Sequence, residues 1–422
     1  MNQTALDYGT QTTEQSVVAL IPRINIHAFC ESQETAGAVQ TVAGDRRFSK
    51  AHLDVHMGGI NAAVQVYQQQ QTPDVLLVET SKSRDEIMAE LSNLAQVCEP
   101  TTKVIVIGHV NDVVLYRDLT RAGISEYLVA PINENHVIEL ISGLYADPEA
   151  EPIGRVTAFI GARGGAGSST IAHNVGWYIS KNLGFDTVIA DLDMAFGTAG
   201  LNFNNDGMQG MAEALSASER IDSVLIDRLL TKCSDKLSLL LAPGTIDKDI
   251  SIDQNSLETV LDVVRKNVPF VVVDLPNLWA PWSKHTLDQA DDVVIVATPE
   301  LVSLRNTKNL IDHLKAARKN DSDPILVLNQ VNMPKRPEVP VAEFAKAVGI
   351  EPTIVLNHDA NLFGTANSNG QMIFEISAKS PSAQNLAALA EKLAGRDQGV
   401  KKAAGKFSIL PILNKLTGMG KK

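Results

Sequence analysis

Short apolar runs alternate with amphipathic segments over the first third of the chain. The apolar runs predict buried strands, and the segments whose apolar residues recur at helical spacing predict helices. The strands are predicted at residues 24–29, 74–79 and 103–108, and the helices at 60–70, 84–97, 113–122 and 136–145. Continuous apolar strands that alternate with helices are typical of a parallel sheet covered on both faces.

The same alternation returns after residue 155, and several strands there end in polar or acidic residues. Apolar runs predict strands at 156–160, 187–193, 237–243, 269–276, 292–300 and 323–329, and helical spacing occurs at 171–181 and 255–266. An open parallel sheet binds its ligand at the carboxyl ends of its strands. The fold class predicted from the pattern is therefore α/β, with two doubly wound, mostly parallel sheets.

Breaks in this pattern divide the chain into segments. Residues 1–21 are rich in Gln and Thr and are predicted to be a flexible lead. Residues 147–154 are acidic, contain two prolines and a glycine, and are predicted to be a linker. The predicted organisation is the lead 1–21, a first domain 22–146, the linker 147–154, a second domain 155–395 and a tail 396–422.

Composition restricts the classes of function. The formal net charge of −12 over 422 residues argues against a basic surface that coats nucleic acid. Cys30, Cys98 and Cys233 lie far apart without the spacing of metal ligands, which fits a reducing cytoplasm better than a disulfide framework. The N-terminus lacks the pattern of a signal peptide, and no apolar run approaches the length of a membrane span. We therefore expect a cytoplasmic protein that does not bind nucleic acid.

A glycine-rich turn, GARGGAGSST, follows the first predicted strand of the second domain and opens a helix. Gly164, Gly165 and Gly167 allow the backbone to direct N–H groups toward an anion, and the helix that begins near Ser168 adds its positive end. Ser169 takes the position at which a phosphate-binding loop places the hydroxyl that binds Mg²⁺. The usual lysine before that hydroxyl is Ser168 here, so the pattern predicts a phosphate-binding loop without its usual cation.

The first domain resembles a response-regulator receiver domain, which has a flavodoxin-like fold, in its order of elements and in the motifs at 73–78 and 122–131. The residues that carry the chemistry of that family are replaced. Glu79 stands at the phosphoacceptor position, and Gly108 and Ala130 replace a hydroxyl and a lysine. The acidic pair expected after the first strand is absent, because His27, Ala28 and Phe29 carry no carboxylate. The resemblance implies a fold kept as a docking or dimerisation surface, with Glu79 as a solvated or hydrogen-bonded carboxylate rather than a phosphorylation site.

The second domain resembles the MinD/ParA group of P-loop ATPases. Five landmarks in the order of that family carry the resemblance: residues 163–170, Asp191-Leu-Asp193 with Gly197, Asp274-Leu-Pro276, Thr298-Pro299-Glu300 and Asn329. A further segment, 356–370, resembles the one that closes over the nucleotide base. The resemblance implies a P-loop NTPase fold that binds ATP and Mg²⁺ and forms a homodimer.

The same resemblance implies roles for individual residues. Asp193 would position the attacking water, Asp274 would hold Mg²⁺ through water, and Arg163 would reach across a dimer where the family has a lysine. The metal site would comprise Ser169, Asp274 and Asp193. The nucleotide would be bound by Gly164, Gly165, Ala166, Gly167, Ser168, Ser169, Thr170, Asn329, Asn357 and Asp359.

Simpler roles remain open for several side chains. A carboxylate at the end of a buried strand often caps the following turn, which is the interpretation favoured for Asp191. Asn329, expected to hydrogen-bond adenine, is also a common turn former, and His358 is expected to be a partly exposed loop residue rather than a catalytic base. Because Ser168 replaces the lysine, we expect nucleotide binding with slow or absent hydrolysis.

A degenerate receiver domain joined to a loop of this sequence is similar to the TadZ/CpaE family, which is associated with tight-adherence (Flp, type IV) pili. The resemblance implies a dimer at the cell pole that marks where the pilus and secretion machinery assembles. The lysine-rich, apolar tail 401–422 suggests contact with the inner membrane, but Pro411 interrupts it, and a disordered tail or a partner-docking peptide is the alternative. Two other functions remain open: a fully active ParA-type ATPase that positions DNA or cargo, and an interaction module that binds no nucleotide.

Overall fold

The computed structural model describes residues 21, 24–48, 50–145, 154–205, 207, 210–247 and 250–395. Nearly all of the predicted lead, most of the predicted linker and the tail lie outside the described residues. The predicted domain boundaries and the membrane role of the tail therefore stay predictions. Within the described ranges, no helix is long and apolar enough to cross a membrane.

The first part of the fold is a parallel sheet covered by helices. Its elements are β1 (Asn25–Cys30), α1 (Gln33–Val42), β2 (His52–Met57), α2 (Gly59–Tyr67), β3 (Val75–Thr80), α3 (Arg84–Ala95), β4 (Lys103–Gly108), α4 (Val113–Arg121), β5 (Glu126–Val129) and α5 (Glu134–Tyr145). A short 3₁₀ segment, Arg46–Phe48, lies between α1 and β2. The strand order is β2-β1-β3-β4-β5, which is the order of flavodoxin-like folds.

Three elements of this part of the fold were not predicted from the sequence, namely α1, β2 and β5. In contrast, β3 is buried along its whole length, as its continuous apolar run predicts. β2 is an edge strand with two histidines and an aspartate, and it is only partly buried. α1 buries only Thr35, Val39 and Val42 and contains no larger apolar residue than valine. A strand at the edge of a sheet and a helix with a small buried face need few large apolar residues. Their sequences therefore lack the apolar pattern from which they would be predicted.

The second part of the fold is a larger sheet. Its elements are β6 (Arg155–Gly161), α6 (Ser168–Lys181), β7 (Thr187–Asp191), α7 (Ala199–Asn202), α8 (Gly210–Ser216), α9 (Ser223–Leu229), β8 (Thr231–Ser234), β9 (Leu237–Leu240), α10 (Gln254–Asn267), β10 (Phe270–Leu275), α11 (Pro281–Gln289), β11 (Asp292–Ala297), α12 (Leu301–Ala317), β12 (Ile325–Val331), α13 (Val341–Val348), β13 (Ile354–Asn357), α14 (Ala360–Asn369), α15 (Ile373–Ser377) and α16 (Pro381–Leu393). The strand order is β13-β12-β11-β6-β10-β7-β9-β8, and β8 is antiparallel to β9.

The predicted fold class, two mostly parallel α/β sheets, is confirmed. The predicted strands of the second sheet are present, although the strand predicted at 237–243 ends at Leu240. β8 and β13 were not predicted. Each has only four residues, and β8 (TKCS) lacks the apolar run that marks the equally short β9 (LSLL).

β6 lies at the centre of the second sheet and carries the glycine-rich turn at its carboxyl end. It pairs with β10 on one side and with β11 on the other. Its side chains alternate between two apolar layers, with Ala158 and Ile160 in one and Phe159 in the other. The chain continues from β6 to β7 on one side and returns to β11 on the other, so a crevice opens beside the end of β6.

The two sheets contact each other at the edge opposite this crevice. Arg46, on the 3₁₀ segment of the first sheet, pairs with Asp321 at 2.7 Å and with Asp291 at 3.4 Å, and donates to the carbonyl oxygen of Gln289 at 3.0 Å. Asp291 immediately precedes β11, and Asp321 also pairs with Arg318 at 2.8 Å. The first sheet therefore rests on the amino ends of strands of the second and leaves the carboxyl ends uncovered.

Candidate nucleotide-binding site

The glycine-rich loop joins the carboxyl end of β6 to α6. Gly165 and Gly167 have φ angles of 76° and 91°, in the left-handed region that favours glycine. A Cβ atom at Gly167 would lie 2.6 Å from Nδ2 of Asn329, so any larger residue would displace that side chain. Backbone conformation and this close approach together explain the glycine at position 167.

Side-chain amides hold the carbonyl oxygens of the loop. They come from the segment after β10, from α12 and from β12. The donations are Asn277 Nδ2 to Gly161 O (2.7 Å), Asn306 Nδ2 to Ala162 O (2.8 Å), Asn329 Nδ2 to Ala166 O (2.9 Å) and Gln330 Nε2 to Gly165 O (2.9 Å). The conformation of the loop is therefore fixed by neighbouring elements before any ligand binds.

The N–H groups of the loop are free to bind a ligand. In the part of the chain that the structure describes, no protein atom accepts a hydrogen bond from the N–H groups of Gly164, Gly165 or Gly167. These groups lie at the amino end of α6, where the helix dipole favours an anion. Because the carbonyl oxygens are engaged and the N–H groups are not, the loop has the polarity that a phosphate group requires.

Two carboxylates lie side by side next to the loop. Asp191 ends β7 and is in register with Asp274 on β10. Asp191 accepts hydrogen bonds from the N–H groups of Asp193 and Ala199, at 3.1 Å each, which confirms its predicted capping role. Burial, reinforced by the charge of Asp274, raises the pKa of Asp191 to about 6.

The other two acidic positions differ in exposure. Asp193 lies on a partly exposed turn, where Oδ1 accepts a hydrogen bond from the N–H group of Phe196 at 3.0 Å. Asp274 is buried, and its Oδ2 lies 3.3 Å from Nε2 of His173. Within the described ranges its Oδ1 has no hydrogen-bond partner. Among the described residues, no lysine or arginine pairs with Asp191, Asp193 or Asp274. A bound triphosphate would add to this negative charge, so the site requires a cation to offset it.

Buried polar atoms without a hydrogen-bond partner gather at this edge of the sheet. The described residues contain six such side-chain atoms, and four belong to Ser168, His173, Asp274 and Thr298, on α6 or at the ends of β10 and β11. In the same residues, no group of three or more His, Cys, Asp and Glu side chains is arranged to hold a metal ion by itself. Mg²⁺ at a nucleotide takes one or two protein oxygens together with phosphate oxygens and waters, so a hydroxyl from Ser169 with Asp274 fits its requirements.

Arg163 is held within its own chain. It forms an ion pair with Glu300, and its Nε donates to the carbonyl oxygen of Gly164 at 3.1 Å. Glu300 also pairs with Arg336 at 3.0 Å. The contact of Arg163 with a second subunit stays a prediction, and it requires that Arg163 leave Glu300.

Asn329 has a role that the sequence did not indicate. Its Nδ2 donates to Ala166, and its Oδ1 accepts a hydrogen bond from the N–H group of Gln330 at 2.8 Å. Both polar ends are therefore used to shape the loop and the end of β12. The predicted hydrogen bond to adenine stays a prediction.

The other residues predicted to contact the base lie at the end of β13. Asn357 accepts a hydrogen bond from Asn332 at 2.9 Å, and Asp359 caps α14 by accepting one from the N–H group of Leu362 at 2.9 Å. Their nucleotide contacts also stay predictions. His358 is a partly exposed residue between β13 and α14, as predicted.

Several residues that shape the site were not predicted, namely Asn277, Asn306, Gln330 and His173. Their positions nevertheless carry a signal. Asn277 directly follows the 274–276 landmark and Gln330 directly follows Asn329, so an amide side chain next to a strand-end landmark indicates support of the loop.

At the carboxyl ends of the strands of the first sheet, the acidic residue is hydrogen-bonded by groups of the protein itself. Glu79 is completely buried. It accepts hydrogen bonds from the N–H groups of Glu31 (2.7 Å) and Ser32 (2.9 Å), from the hydroxyls of Ser32 (2.9 Å) and Thr35 (2.7 Å), and from Nε2 of His109 (3.2 Å). The prediction of a hydrogen-bonded carboxylate is confirmed, and the prediction of a solvated one is wrong, because α1 packs over it.

One carboxylate lies directly after the first strand, although His27, Ala28 and Phe29 carry none. The strand was expected to end at Phe29, but β1 ends at Cys30, and Glu31 follows it. The carboxylate of Glu31 accepts hydrogen bonds from the N–H group and the hydroxyl of Ser81, at 2.8 and 2.7 Å. Both acidic residues at this edge are therefore bound to groups of the protein.

Comparison with known proteins is consistent with the fold of the second sheet. Residues 154–327 match a family described as AAA domain. The chain is 24% identical over 167 residues to the septum site-determining protein MinD of Helicobacter pylori. The aligned region covers 38% of this chain and only 59% of the length of that protein. It is 25% identical to the crystal structure of a ParA family ATPase from Chlorobium tepidum, with a TM-score of 0.52, over 56% of this chain and 98% of that one.

The pilus assembly protein CpaE from Caulobacter crescentus, known from a crystal structure, is 49% identical to this chain over 98% of its own length and 31% of this chain, with a TM-score of 0.30. This chain belongs to the CpaE/TadZ-type family of MinD-like ATPases. The sequence identity, which extends over nearly all of that CpaE structure, carries the assignment. The similarity to the ParA family ATPase agrees with the P-loop type of fold.

Proposed function

We propose that this CpaE-type protein binds ATP·Mg²⁺ at the loop between β6 and α6 and works as an assembly scaffold with slow or absent ATP hydrolysis. One observation carries the proposal, namely the division of polar groups in the loop. Its carbonyl oxygens are held by side-chain amides, whereas the N–H groups of Gly164, Gly165 and Gly167 have no acceptor among the described residues. Such a loop attracts an anion and repels a cation.

The residues around the loop supply the remaining functions of a nucleotide site. The N–H groups of the loop would donate to phosphate oxygens, and Ser169 with Asp274 would hold Mg²⁺, which supplies the positive charge that the carboxylates of the site lack. Asp193, on its partly exposed turn, would orient an attacking water. Thr298, whose buried hydroxyl has no partner in the part of the chain that the structure describes, would donate to a ligand oxygen or to a bound water.

Slow hydrolysis follows from the residue at position 168. The Ser168 hydroxyl is buried and brings no positive charge to the phosphates, and Arg163 is already paired with Glu300. A cation on the transferred phosphate contributes about 10³–10⁵ in rate in related enzymes. Loss of one charge-assisted hydrogen bond costs binding only about 1.5–3 kcal/mol. Binding therefore tolerates a substitution that slows turnover.

Large apolar side chains are exposed around the same edge of the sheet. Leu301 is 75% and Val302 is 54% exposed at the start of α12, and Phe196 and Trp279, in the segments after β7 and β10, are 72% and 54% exposed. Exposed apolar side chains grouped at a functional edge are typical of a protein interface. We propose that a second copy of the chain binds over this edge, next to the nucleotide.

The role in pilus assembly is proposed from family membership. CpaE of Caulobacter crescentus is described as a pilus assembly protein. By this relationship, we propose that the protein recruits pilus and secretion proteins at the cell pole, from the cytoplasmic side of the inner membrane. A fluorescent fusion is expected to form polar foci that bring the pilus proteins with them. A uniform distribution in cells that still make pili would contradict the proposal.

Calorimetry with ATP and Mg²⁺, together with a turnover assay, tests the nucleotide proposal. We expect saturable binding with little turnover. Rapid turnover would instead favour a ParA-type ATPase that positions DNA or cargo. No heat of binding and no change in melting temperature at saturating ATP·Mg²⁺ would favour an interaction module that binds no nucleotide.

The variant Ser168→Lys tests why turnover is slow. It restores a cation next to the phosphates, so we expect ATP affinity to rise about tenfold and turnover to rise by at least as much. Ser168→Met adds similar length without charge and serves as the matched control, with no expected rise in turnover. An unchanged rate in Ser168→Lys would show that the missing cation does not limit the reaction.

Light scattering tests the proposed dimer. We expect the mass to double on addition of ATP·Mg²⁺. Leu301→Asp places a charge on the apolar edge and is expected to prevent dimerisation while ATP still binds. A dimer that persists in Leu301→Asp would place the interface elsewhere.

A further inference from the structure

His173 is a buried histidine at the centre of the candidate site, and no role proposed above uses it. It lies on α6, one turn beyond the loop, and is completely buried. Of the residues next to it on α6, Ala172 is buried and apolar, and Asn174 is buried and polar. A polar side chain in such a position normally has a partner, because burying an unpaired polar group costs free energy.

The two ring nitrogens of His173 lie next to two different elements of the site. Nε2 lies 3.3 Å from Oδ2 of Asp274 on β10. Nδ1 lies 2.9 Å from Nδ2 of Asn202, the last residue of α7. When the amide of Asn202 donates to Nδ1, the ring proton of the neutral imidazole is on Nε2, which lies beside the carboxylate of Asp274 without a hydrogen bond to it.

This arrangement connects three segments next to the loop that is proposed to bind the phosphates. His173 is on the helix that follows the loop, Asp274 is the acidic residue expected at Mg²⁺, and Asn202 ends the segment that begins with Asp193. The imidazole lies beside Oδ2 of Asp274, while Oδ1 has no partner among the described residues. Among the described residues the ring donates no hydrogen bond to Oδ2, but its close approach limits where Oδ2 can lie and leaves Oδ1 for a ligand.

We propose that His173 is a positioning residue, which orients Asp274 toward Mg²⁺ and links it through Asn202 to the Asp193 segment. This inference rests on the proposed binding of ATP·Mg²⁺. If His173 only filled space in the core, replacing it would change nucleotide affinity equally with and without Mg²⁺. A residue that orients a metal-binding carboxylate affects the contribution of Mg²⁺ to nucleotide affinity, in the way that outer-shell partners of metal ligands do.

Two substitutions of the same chemical type separate these roles. The side-chain nitrogen of Gln in His173→Gln reaches the place of Nε2 and keeps the contact with Asp274. The shorter side chain of His173→Asn reaches only the place of Nδ1 and keeps the contact with Asn202. The measured quantity is the ratio of the ADP Kd in EDTA to the ADP Kd in excess Mg²⁺, obtained by calorimetry on the full chain.

We expect His173→Gln to keep this ratio within about threefold of the unsubstituted protein and His173→Asn to lower it about tenfold, in the range that loss of an outer-shell partner produces. The Kd in EDTA is expected to change little in either variant. Equal ratios in both variants and the unsubstituted protein would overturn the inference, and so would equal losses in both variants. If the unsubstituted protein binds ADP equally with and without Mg²⁺, the proposed function fails instead.

Melting temperatures without ligand show whether the variants fold. Asn202→Ala provides a second test, because Asn202 is only partly buried and the imidazole remains in place. We expect this variant to lower the Mg²⁺ ratio about threefold, as expected for loss of one supporting hydrogen bond. An unchanged ratio would contradict the link to the Asp193 segment.

Discussion

The two sheets have the same kind of carboxyl edge, but they differ in how the buried acidic residue at that edge is hydrogen-bonded. Each is an edge of a parallel sheet with a buried acidic residue, Glu79 in the first and Asp274 in the second. Glu79 accepts hydrogen bonds at both carboxylate oxygens from residues of α1 and its approach, and also from His109. Asp274 has one oxygen without any partner among the described residues.

This difference indicates which edge keeps a place for a ligand. Where the protein supplies all the hydrogen bonds of a buried acid, a ligand must displace them, and the edge gains nothing by binding one. Where buried hydroxyl, carboxylate and imidazole atoms lack partners, a ligand can form hydrogen bonds with them without displacing any bond of the protein. The free energy of those hydrogen bonds then contributes fully to binding. The first edge therefore serves structure, and the second keeps polar atoms available, as the proposed binding of nucleotide and metal requires.

The largest effect is expected from closing the second edge with Gly167→Ala. The new Cβ atom would meet Asn329 at 2.6 Å, and alanine is strained at a φ of 91°. We expect ATP·Mg²⁺ affinity, measured by calorimetry, to fall by more than about 100-fold, because several N–H donors move together. Gly143→Ala, on α5 with no atom within 4 Å of its Cβ, is the control and should leave affinity unchanged. Retained affinity in Gly167→Ala would mean that the loop does not bind phosphate.

A smaller effect is expected from Glu79→Gln at the first edge. Burial alone would raise the pKa of Glu79, but hydrogen bonds from Ser32, Thr35 and the N–H group of Glu31 lower it below the ordinary value of 4.5. An acid with a lowered pKa stabilises the fold above its unfolded pKa, and that stability is lost as the pH falls through its folded pKa. We expect Glu79→Gln to lower the free energy of unfolding by about 2 kcal/mol at pH 7.

Denaturant titrations at several pH values check this prediction. The difference between Glu79→Gln and the unsubstituted protein should shrink below pH 4.5, and ATP affinity should be the same in both. A loss of stability that does not vary with pH would mean that the charge of Glu79 is not what the hydrogen bonds stabilise.

The smallest effects come from a matched pair of threonines, one at each edge. Thr35 donates to Glu79 at 2.7 Å, whereas the buried hydroxyl of Thr298 has no partner among the described residues. We expect Thr35→Val to cost about 1.5 kcal/mol and Thr298→Val to be neutral or to stabilise the ligand-free protein by up to about 1 kcal/mol. Thermal or urea unfolding without ligand measures both. A larger loss in Thr298→Val than in Thr35→Val would reverse the distinction between the edges.

The sequence predicted the features that are local along the chain. Continuous apolar runs predicted β3, β4 and β10, and the glycine-rich turn with Ser169 predicted the loop and its position between a strand and a helix. The hydrogen bonds that decide the state of each edge join residues distant in sequence. Thr35 and Glu79 are 44 residues apart, and Ala166 and Asn329 are 163 apart. Such pairs depend on strand order, which periodicity does not reveal.

His173 illustrates the same limit in a different way. Its neighbours three and four positions away on α6, which are Ser169, Thr170, Gly176 and Trp177, form no apolar stripe, so helical spacing alone does not predict that it is buried. Only the pairing of β10 with β6 and β7 brings Asp274 next to it. The chemistry of the position therefore appears only when the sheet is assembled.

Arg46 affects how the protein can be divided for experiments. A fragment that begins at residue 154 would lack this guanidinium, which pairs with Asp291 and Asp321 at the base of the second sheet. Those carboxylates would keep Arg265 and Arg318 as partners but would be newly exposed to water on one side. A melting temperature or nucleotide affinity measured on such a fragment would be that of a second sheet without the Arg46 ion pairs at its base. The full chain is therefore the appropriate reference for every comparison of the two edges.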